Sequence, residues 1–105
     1  MILEETIQKI VERIVEVSDP SKIILFGSYA EGTERDDSDL DLLVIQETEL
    51  SVYKRAVPIL MKLWGIKIPV DLIVWTSDEF QSRKDNPYSI GYQIQRKGKT
   101  LYERN

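Results

Sequence analysis

The chain has 105 residues, of which 42% are hydrophobic and 30% are charged. This length suits one domain with one core, and the composition excludes collagen, coiled-coil and disordered classes. The sequence contains neither cysteine nor histidine, which excludes a disulfide framework, a thiolate metal site, a Ser-His-Asp triad and an imidazole-bound zinc. Any metal must therefore be bound by oxygen ligands, which favours magnesium, calcium or manganese.

The net charge of −4 is unevenly distributed along the chain. Residues 1–79 carry 8 basic and 16 acidic side chains, whereas residues 80–105 carry 6 basic and 2 acidic ones. An acidic body argues against direct nucleic-acid binding through phosphates. The basic C-terminal segment either reaches a bound nucleotide, docks an acidic partner or is ordinary solvated surface. No apolar run is as long as a membrane span and the N-terminus lacks the basic head of a signal peptide, so we expect a cytoplasmic protein without membrane association.

The first half of the chain predicts a helix followed by two strands. Apolar residues at three- and four-residue steps predict an amphipathic helix that ends at Asp19-Pro20; they are Leu3, Ile7, Ile10, Val11, Ile14 and Val17. Residues 22–26 predict a short buried strand, and the glycine-, serine- and acid-rich residues 27–38 predict a loop with at most one helical turn. Residues 39–45 predict a second strand that is apolar on both faces after two aspartates on one face.

The second half predicts three helices, a third strand and an edge strand. The first of these helices is interrupted by Pro58 and ends at Gly65; its helically spaced apolar residues are Leu50, Tyr53, Val57, Leu60 and Trp64. Residues 68–75 predict the third strand, and a capping box from Thr76 to Glu79 opens the next helix.

A last helix over residues 88–97 is expected to end at Gly98, and residues 100–102 predict a short edge strand. The predicted fold is therefore an α/β or α+β domain, with helices packed on one mixed sheet of about four strands.

The turn Gly27-Ser28 directly follows the first strand and is a candidate phosphate site. A glycine lets the backbone approach a phosphate, whose oxygens can accept hydrogen bonds from turn N–H groups and from a serine hydroxyl. An ordinary turn is the alternative. The spacing from Gly27 to Gly32 is that of a P-loop, but Thr33 and Glu34 follow where a P-loop has lysine and then serine or threonine. The P-loop interpretation therefore fails.

Three aspartates are the candidate metal ligands. Asp39 and Asp41 share one strand face, and Asp71 interrupts an otherwise apolar strand, where a carboxylate is costly unless it is paired or metal-bound. If the two strands are neighbours, the three carboxylates converge; otherwise they are solvated residues at strand ends. An EF-hand is excluded, because Leu42 and Thr48 stand where its loop has glycine and glutamate.

The runs LFGSYAEG at residues 25–32 and SDLDLLV at residues 38–44 resemble the signature of the polymerase-β-like nucleotidyltransferase superfamily, Gly-Ser followed by Asp-x-Asp on the next strand. Residues 69–74 resemble its third-aspartate strand, and residues 98–103 resemble the C-terminal end of its shortest members, the minimal nucleotidyltransferases (MNT). The whole of residues 1–105 is thus identified as one MNT domain with the polymerase-β-like fold. Tyr29 departs from the pattern, because many members have arginine after Gly-Ser.

This resemblance implies a site, a substrate and a partner. Gly27 and Ser28 would bind the β- and γ-phosphates of ATP, Asp39 and Asp41 would hold two magnesium ions, and Asp71 would complete the metal shell and help to deprotonate the acceptor. MNT proteins are commonly encoded beside a helical HEPN ribonuclease toxin, and some transfer AMP to a tyrosine of that toxin. The resemblance therefore implies a protein adenylyltransferase that acts as the antitoxin of a type VII-like toxin–antitoxin pair.

Two other functions are compatible with the same residues. One is a non-catalytic antitoxin or binding module that neutralises its partner by occlusion, and the other is a nucleotide-sensing regulatory subunit. Either a homo-oligomer or a hetero-oligomer fits the sequence. Four aromatic residues are candidates to stack on a base, but at such spacings aromatic residues are more often core; they are Tyr29, Trp64, Trp75 and Tyr92.

Overall fold

The computed structural model describes residue 2 and residues 4–104. Helices and strands follow along the chain in the order α1 (Glu4–Ser18), β1 (Lys22–Phe26), α2 (Ser28–Glu31), β2 (Leu40–Ile45), α3 (Val52–Lys62), β3 (Val70–Trp75), α4 (Ser77–Arg83), α5 (Ile90–Lys97) and β4 (Lys99–Glu103). Leu3, which the sequence predicts to open the first helix, lies outside the described residues. Within residues 4–104, no helix combines the length and the apolar character that crossing a membrane requires.

The strands form one sheet in the order β3-β2-β1-β4. Strand β1 pairs antiparallel with both β2 and β4, whereas β2 and β3 are parallel. A parallel pair needs a crossover connection, and α3 supplies it between β2 and β3. The prediction of a single mixed sheet carrying helices is therefore confirmed.

The two faces of the sheet are covered by different helices. One core lies between the sheet and helices α1 and α3, and the other lies under α4 and α5. Strand β2 supplies both cores, because Leu42 and Val44 point to the first and Leu43 and Ile45 to the second. Each of these aliphatic side chains stabilises the fold by about 1.5–3 kcal/mol when it is buried. The sequence of β2 is apolar on both faces because both faces of this central strand are covered.

The ends of the last two helices are set by local hydrogen bonds. The Glu79 N–H donates to the Thr76 hydroxyl at 3.2 Å, and the Thr76 N–H donates to the Glu79 carboxylate at 2.7 Å, so the predicted capping box is confirmed. Helix α5 begins two residues later than the sequence indicates, because the Ser89 hydroxyl accepts from the Gly91 N–H and caps it there.

Gly98 ends α5 as predicted, but for a different physical reason. Its backbone is extended, with φ of −72°, so it needs no left-handed conformation. A Cβ at this position would instead lie 2.6 Å from Ile24 Cγ2 and 2.6 Å from the Ile94 carbonyl oxygen. The glycine is required because α5 turns into β4 directly against β1.

Helix α3 differs from its prediction in two respects. It continues through Pro58, whose nitrogen cannot donate the backbone hydrogen bond of a helix. Its buried residues are Ile59 and the following Leu63, whereas Tyr53 and Trp64 are 93% and 86% exposed. The interpretation of Trp64 as a core residue is therefore wrong, and the apolar spacing noted in the sequence marks the outward side of the helix.

Candidate active site

The candidate site lies at one end of the sheet, where three strands bring their chemistry-bearing residues into register. Phe26, the last residue of β1, is opposite Asp41 in the antiparallel pair. Asp41 is opposite Asp71 in the parallel pair. Because side chains alternate along a strand, these aspartates share the sheet face that carries α4 and α5. The two carboxylates thus project together beside the turn that follows β1.

Gly27 begins that turn and lies directly against the Asp41 carboxylate. Its φ of 73° and ψ of −153° belong to a region that favours glycine. A Cβ on this residue would lie 2.1 Å from Asp41 Oδ2, so the absence of a side chain is also what leaves room for the carboxylate. Both the backbone conformation and the close approach require glycine here.

Ser28 is the first residue of the one-turn helix α2. The Gly27 carbonyl accepts from the N–H groups of Ala30 and Glu31, each at 3.1 Å, and so closes the turn. The first N–H groups of a helical turn have no partner within it. Together with the half-buried Ser28, they give this corner of the site hydrogen-bond donors beside a pair of carboxylates.

Burial and carboxylate repulsion together set the electrostatics of the site. Burial raises the pKa of Asp41 above its ordinary value, and the neighbouring charges of Asp71 and Asp39 raise that pKa further. The Asp71 side chain is also within hydrogen-bonding reach of Asp41. Like charges held this close favour a cation or a proton between them.

Asp39 stands apart from the other two aspartates. It is exposed and immediately precedes β2, rather than opening the strand as the sequence predicts. Among residues 2 and 4–104, no three acidic side chains stand close enough to enclose a metal ion. The structure therefore brings Asp41 and Asp71 together, and it leaves Asp39 near enough to influence Asp41 through its charge only.

The donor chemistry of the site fits magnesium. The groups that converge are carboxylate oxygens, which are the ligands that this hard cation prefers, and magnesium is usually held by one or two carboxylates plus substrate phosphates. Burial first, and then the charges of Asp71 and Asp39, raise the pKa of Asp41, and a divalent cation would offset the part that is due to charge. Asp41 and Asp71 are the residues that could hold it, and Asp39 is the third candidate.

A cleft of about 380 Å³ opens above the two aspartates. Its floor is the sheet and its far wall is α5; the lining residues include Phe26, Gly27, Glu31, Ile90, Gln93 and Lys97. Lys97 Nζ lies 3.5 Å from Glu31 Oε1, so an ion pair joins α5 to α2 at the cleft. Sequence reasoning missed these α5 residues; the one signal was the basic character of residues 80–105.

Two aromatic residues near the motif have structural positions. Tyr29 packs against the core under α1 and α3. Trp75 packs in the other core, with its ring centroid 6.5 Å from that of Phe80 and with the Arg83 guanidinium 5.1 Å from its ring centroid. Trp75 is therefore a partly buried residue that packs against the core.

Comparison with known proteins agrees with this geometry. The sequence model of the family described as polymerase beta nucleotidyltransferase matches residues 6–105. Over 81 residues the chain is 31% identical to a candidate protein adenylyltransferase of Methanocaldococcus jannaschii, and the alignment covers 77% of each protein.

Solved structures share the fold at lower sequence identity. A candidate nucleotidyltransferase from Sulfolobus solfataricus has a TM-score of 0.68 and 23% identity over 95% of this chain and 79% of its own. A toxin–antitoxin complex with AMP-PNP has a TM-score of 0.68 and 24% identity over 98% of this chain and 76% of that one. A mutant of the MntA–HpeT toxin–antitoxin pair has a TM-score of 0.64 and 22% identity over 93% of this chain and 73% of that one.

A mixed sheet with two abutting aspartates beside a Gly-Ser turn is the arrangement expected of a nucleotidyltransferase domain. The chain belongs to the polymerase beta nucleotidyltransferase family, which the match over residues 6–105 and the curated relative establish together. It is accordingly an enzyme of the nucleotidyltransferase class.

Proposed function

We propose that the protein transfers AMP from ATP to a hydroxyl group of a partner protein, in a reaction that depends on magnesium. The observation that carries the proposal is the contact of Gly27 with the Asp41 carboxylate. Asp41 in turn lies opposite Asp71 in the parallel pair of strands. This contact brings a phosphate-binding turn and a pair of metal-binding oxygens to one point. The name of the curated relative, a candidate protein adenylyltransferase, supports a protein acceptor.

Each residue of the site has a role in this reaction. The backbone N–H groups at the start of α2 and the Ser28 hydroxyl bind the β- and γ-phosphates, which approach closely because Gly27 has no side chain. Asp41 and Asp71, with Asp39 as the third candidate, would hold magnesium, which would offset the negative charge of the phosphates and of the leaving pyrophosphate.

The transfer is an in-line displacement at the α-phosphorus. The acceptor hydroxyl oxygen forms a bond to the α-phosphorus, and the bond from that phosphorus to the oxygen bridging the α- and β-phosphates breaks. Pyrophosphate leaves with the electron pair, and the Asp71 carboxylate takes the hydroxyl proton. The products are an AMP ester of the acceptor and pyrophosphate, with no oxidant or reductant involved.

The size of the cleft supports an acceptor that belongs to another protein. At about 380 Å³, the cleft is near the lower end of the roughly 300–1,000 Å³ typical of ligand sites. A nucleotide fills it, and the acceptor must then arrive from outside. The partner we propose is a helical HEPN toxin with a tyrosine acceptor, which makes this protein an antitoxin of a type VII-like toxin–antitoxin pair. The toxin–antitoxin complexes among the solved structures of this fold support that setting.

Transfer of label from ATP to the partner tests the proposal. The purified protein is incubated with magnesium, the purified HEPN toxin and ATP labelled at the α-phosphate, beside the double variant Asp39→Asn/Asp41→Asn. A matched control is Asp36→Asn/Asp37→Asn, which removes two exposed aspartates from the same loop. We expect label on the toxin with the wild type and the control, and none with the site variant or with ATP labelled at the γ-phosphate.

Two results would contradict this function. Label from the γ-phosphate would indicate phosphoryl transfer instead of AMP transfer. Neutralisation of the toxin by Asp39→Asn/Asp41→Asn without any label would mean that the protein acts by binding, with its carboxylates not required.

A further inference from the structure

Helix α3 is apolar on two sides, and only one of them is covered. Its inner side packs on the sheet through Ile59 and the adjoining Leu63. Its outer face, defined here as Tyr53, Val57, Leu60 and Met61 of the helix together with Trp64 of the turn that follows it, is exposed to solvent. The apolar side of a helix is normally buried. The second, exposed apolar side of α3 is therefore a surface that a further molecule would cover.

The exposed area is large enough for an interface. Tyr53 and Trp64 are 93% and 86% exposed, and Met61 is 71% exposed. The two aromatic side chains alone present about 400 Å², taking roughly 200 Å² for each. A standard interface takes about 800 Å² from each partner, and monomers rarely leave contiguous apolar patches of more than a few hundred Å² uncovered.

Four of the five residues of the outer face, all except Met61, have a spacing that is the same in both directions. From Tyr53 the steps to Val57, Leu60 and Trp64 are four, three and four residues. Two such helices packed antiparallel about a twofold axis near Pro58 would set Tyr53 against Trp64 of the second copy. Val57 would likewise face Leu60 of the second copy. We propose that the outer face of α3 joins two copies of this chain in an antiparallel, twofold-symmetric dimer.

The charges along α3 favour this orientation. Residues 50–67 contain four basic residues and no acidic one, but Arg55 is turned inward to Glu79 and Lys62 pairs with Glu16. Lys54 is the remaining lysine within the helix. In the antiparallel pair the two Lys54 residues are nine helical positions apart, or about 14 Å at 1.5 Å per residue, which exceeds a Debye length of about 8 Å. In a parallel pair they would face each other directly.

A second copy also fits better than an anionic membrane. Residues 50–67 are locally basic, but the chain as a whole carries a net charge of −4, which anionic lipid would repel. In the antiparallel pair the basic residues are separated and the apolar face is self-complementary. The proposal does not rest on nucleotidyl transfer, since the outer face and the cleft lie on opposite sides of the sheet.

The mass of the purified protein in solution is the first test. Light scattering should give twice the 12.2 kDa of one chain. The double variant Tyr53→Lys/Trp64→Lys should dissociate at least about tenfold more readily, because it removes the two largest anchors of the interface. Tyr88→Lys is the matched control, since Tyr88 is 98% exposed and lies outside α3; it should leave the dimer unchanged.

The orientation is tested by cross-linking, which the absence of cysteine from the chain makes clean. Under oxidation, an equimolar mixture of Tyr53→Cys and Trp64→Cys should form disulfide-linked heterodimers. Either variant alone should not, because its two cysteines would lie far beyond the roughly 7 Å Cα limit of a disulfide.

Three results would overturn the proposal. The first is a wild-type protein that is monomeric at every concentration. If that monomer binds phosphatidylserine vesicles or the purified toxin through Tyr53 and Trp64, the outer face belongs to that partner instead. The second is a dimer that survives Tyr53→Lys/Trp64→Lys. The third is cross-linking of each cysteine variant with itself, which would indicate a parallel pair.

Discussion

Gly27 and Asp41 are in direct contact across the pair of strands β1 and β2. The Cα of the glycine borders the carboxylate so closely that a Cβ would lie 2.1 Å from Oδ2. The two residues belong to separate parts of the sequence signature, yet each sets the conformation that the other can adopt. The turn that begins at Gly27 and the Asp41 carboxylate therefore form one structural unit.

The contact predicts that Gly27→Ala loses both stability and activity. A φ of 73° with a ψ of −153° is essentially restricted to glycine and costs other residues about 1–3 kcal/mol, and displacement of the Asp41 carboxylate should lower label transfer at least about 100-fold. Gly32→Ala is the matched control, because Gly32 also has a positive φ, of 74°, but lies in the left-handed region with no atom within 4 Å of its Cβ position. It should lose less stability, about 1–2 kcal/mol, and keep its activity; equal activity of the two variants would refute the contact's role.

The abutting carboxylates predict opposite effects of Asp71→Asn on stability and on activity. Removal of one of two like charges opposite each other should raise the free energy of unfolding at pH 7 by roughly 0.2–1 kcal/mol. Label transfer should fall at least about 100-fold, and magnesium should raise the melting temperature of the wild type but not of the variant. Asp36→Asn, an exposed aspartate outside the cleft, serves as the control. Loss of stability in Asp71→Asn without magnesium would contradict this account.

The sequence predicts that the aspartates converge only if their strands are neighbours, and in the structure Asp41 and Asp71 meet that condition. Each aspartate has a defined face through the alternation of its strand, and a parallel register then sets them side by side. Gly27 is predictable as a turn residue, since it ends an apolar run. Its contact with Asp41 depends on the antiparallel register of β1 and β2, which no local pattern encodes.

Two other features depend on tertiary packing and escape sequence reasoning. Lys97 lines the cleft only because α5 crosses the end of the sheet, and its own neighbours in the sequence do not indicate that position. In α3, the inner residues Ile59 and Leu63 and the outer residues Tyr53 and Trp64 follow the same helical spacing. Periodicity finds the helix, but with apolar residues on both sides it does not tell which side faces the sheet.

The buried ion pair of Arg55 with Glu79 predicts a pH dependence of stability. Arg55 is 8% exposed, its Nη1 lies 2.6 Å from Glu79 Oε1, and its guanidinium also donates to the Leu50 and Val74 carbonyls. The hydrogen bond from Arg55 is the main cause that lowers the pKa of Glu79, and the Thr76 N–H lowers that pKa further. The pair thus links α3, β3 and the start of α4.

A lowered pKa in the folded state means that this carboxylate stabilises the fold above its unfolded pKa of about 4.3. That contribution is lost as the pH falls through the folded-state pKa. Glu79→Gln should cost about 1.5–3 kcal/mol at pH 7 and should flatten the fall in stability on acidification. Denaturant unfolding from neutral to acidic pH measures both effects, with the exposed Glu49→Gln as control. Parallel curves for Glu79→Gln and the wild type would show that the pair does not govern acid sensitivity.

The ion pair between Lys97 and Glu31 predicts opposite effects of its two members on nucleotide binding. Lys97 Nζ is 3.5 Å from Glu31 Oε1, both side chains line the cleft, and both are about half exposed. A triphosphate in the cleft should draw the lysine away from the glutamate, because it offers more negative charge. Lys97→Gln should therefore weaken binding of the ATP analogue AMP-PNP about tenfold, and Glu31→Gln should strengthen that binding. The affinity for AMP should change little in either variant. Calorimetric titration measures these affinities beside Lys99→Gln, an exposed lysine on β4. Equal losses in Lys97→Gln and Glu31→Gln would instead mean that the pair only joins α5 to α2.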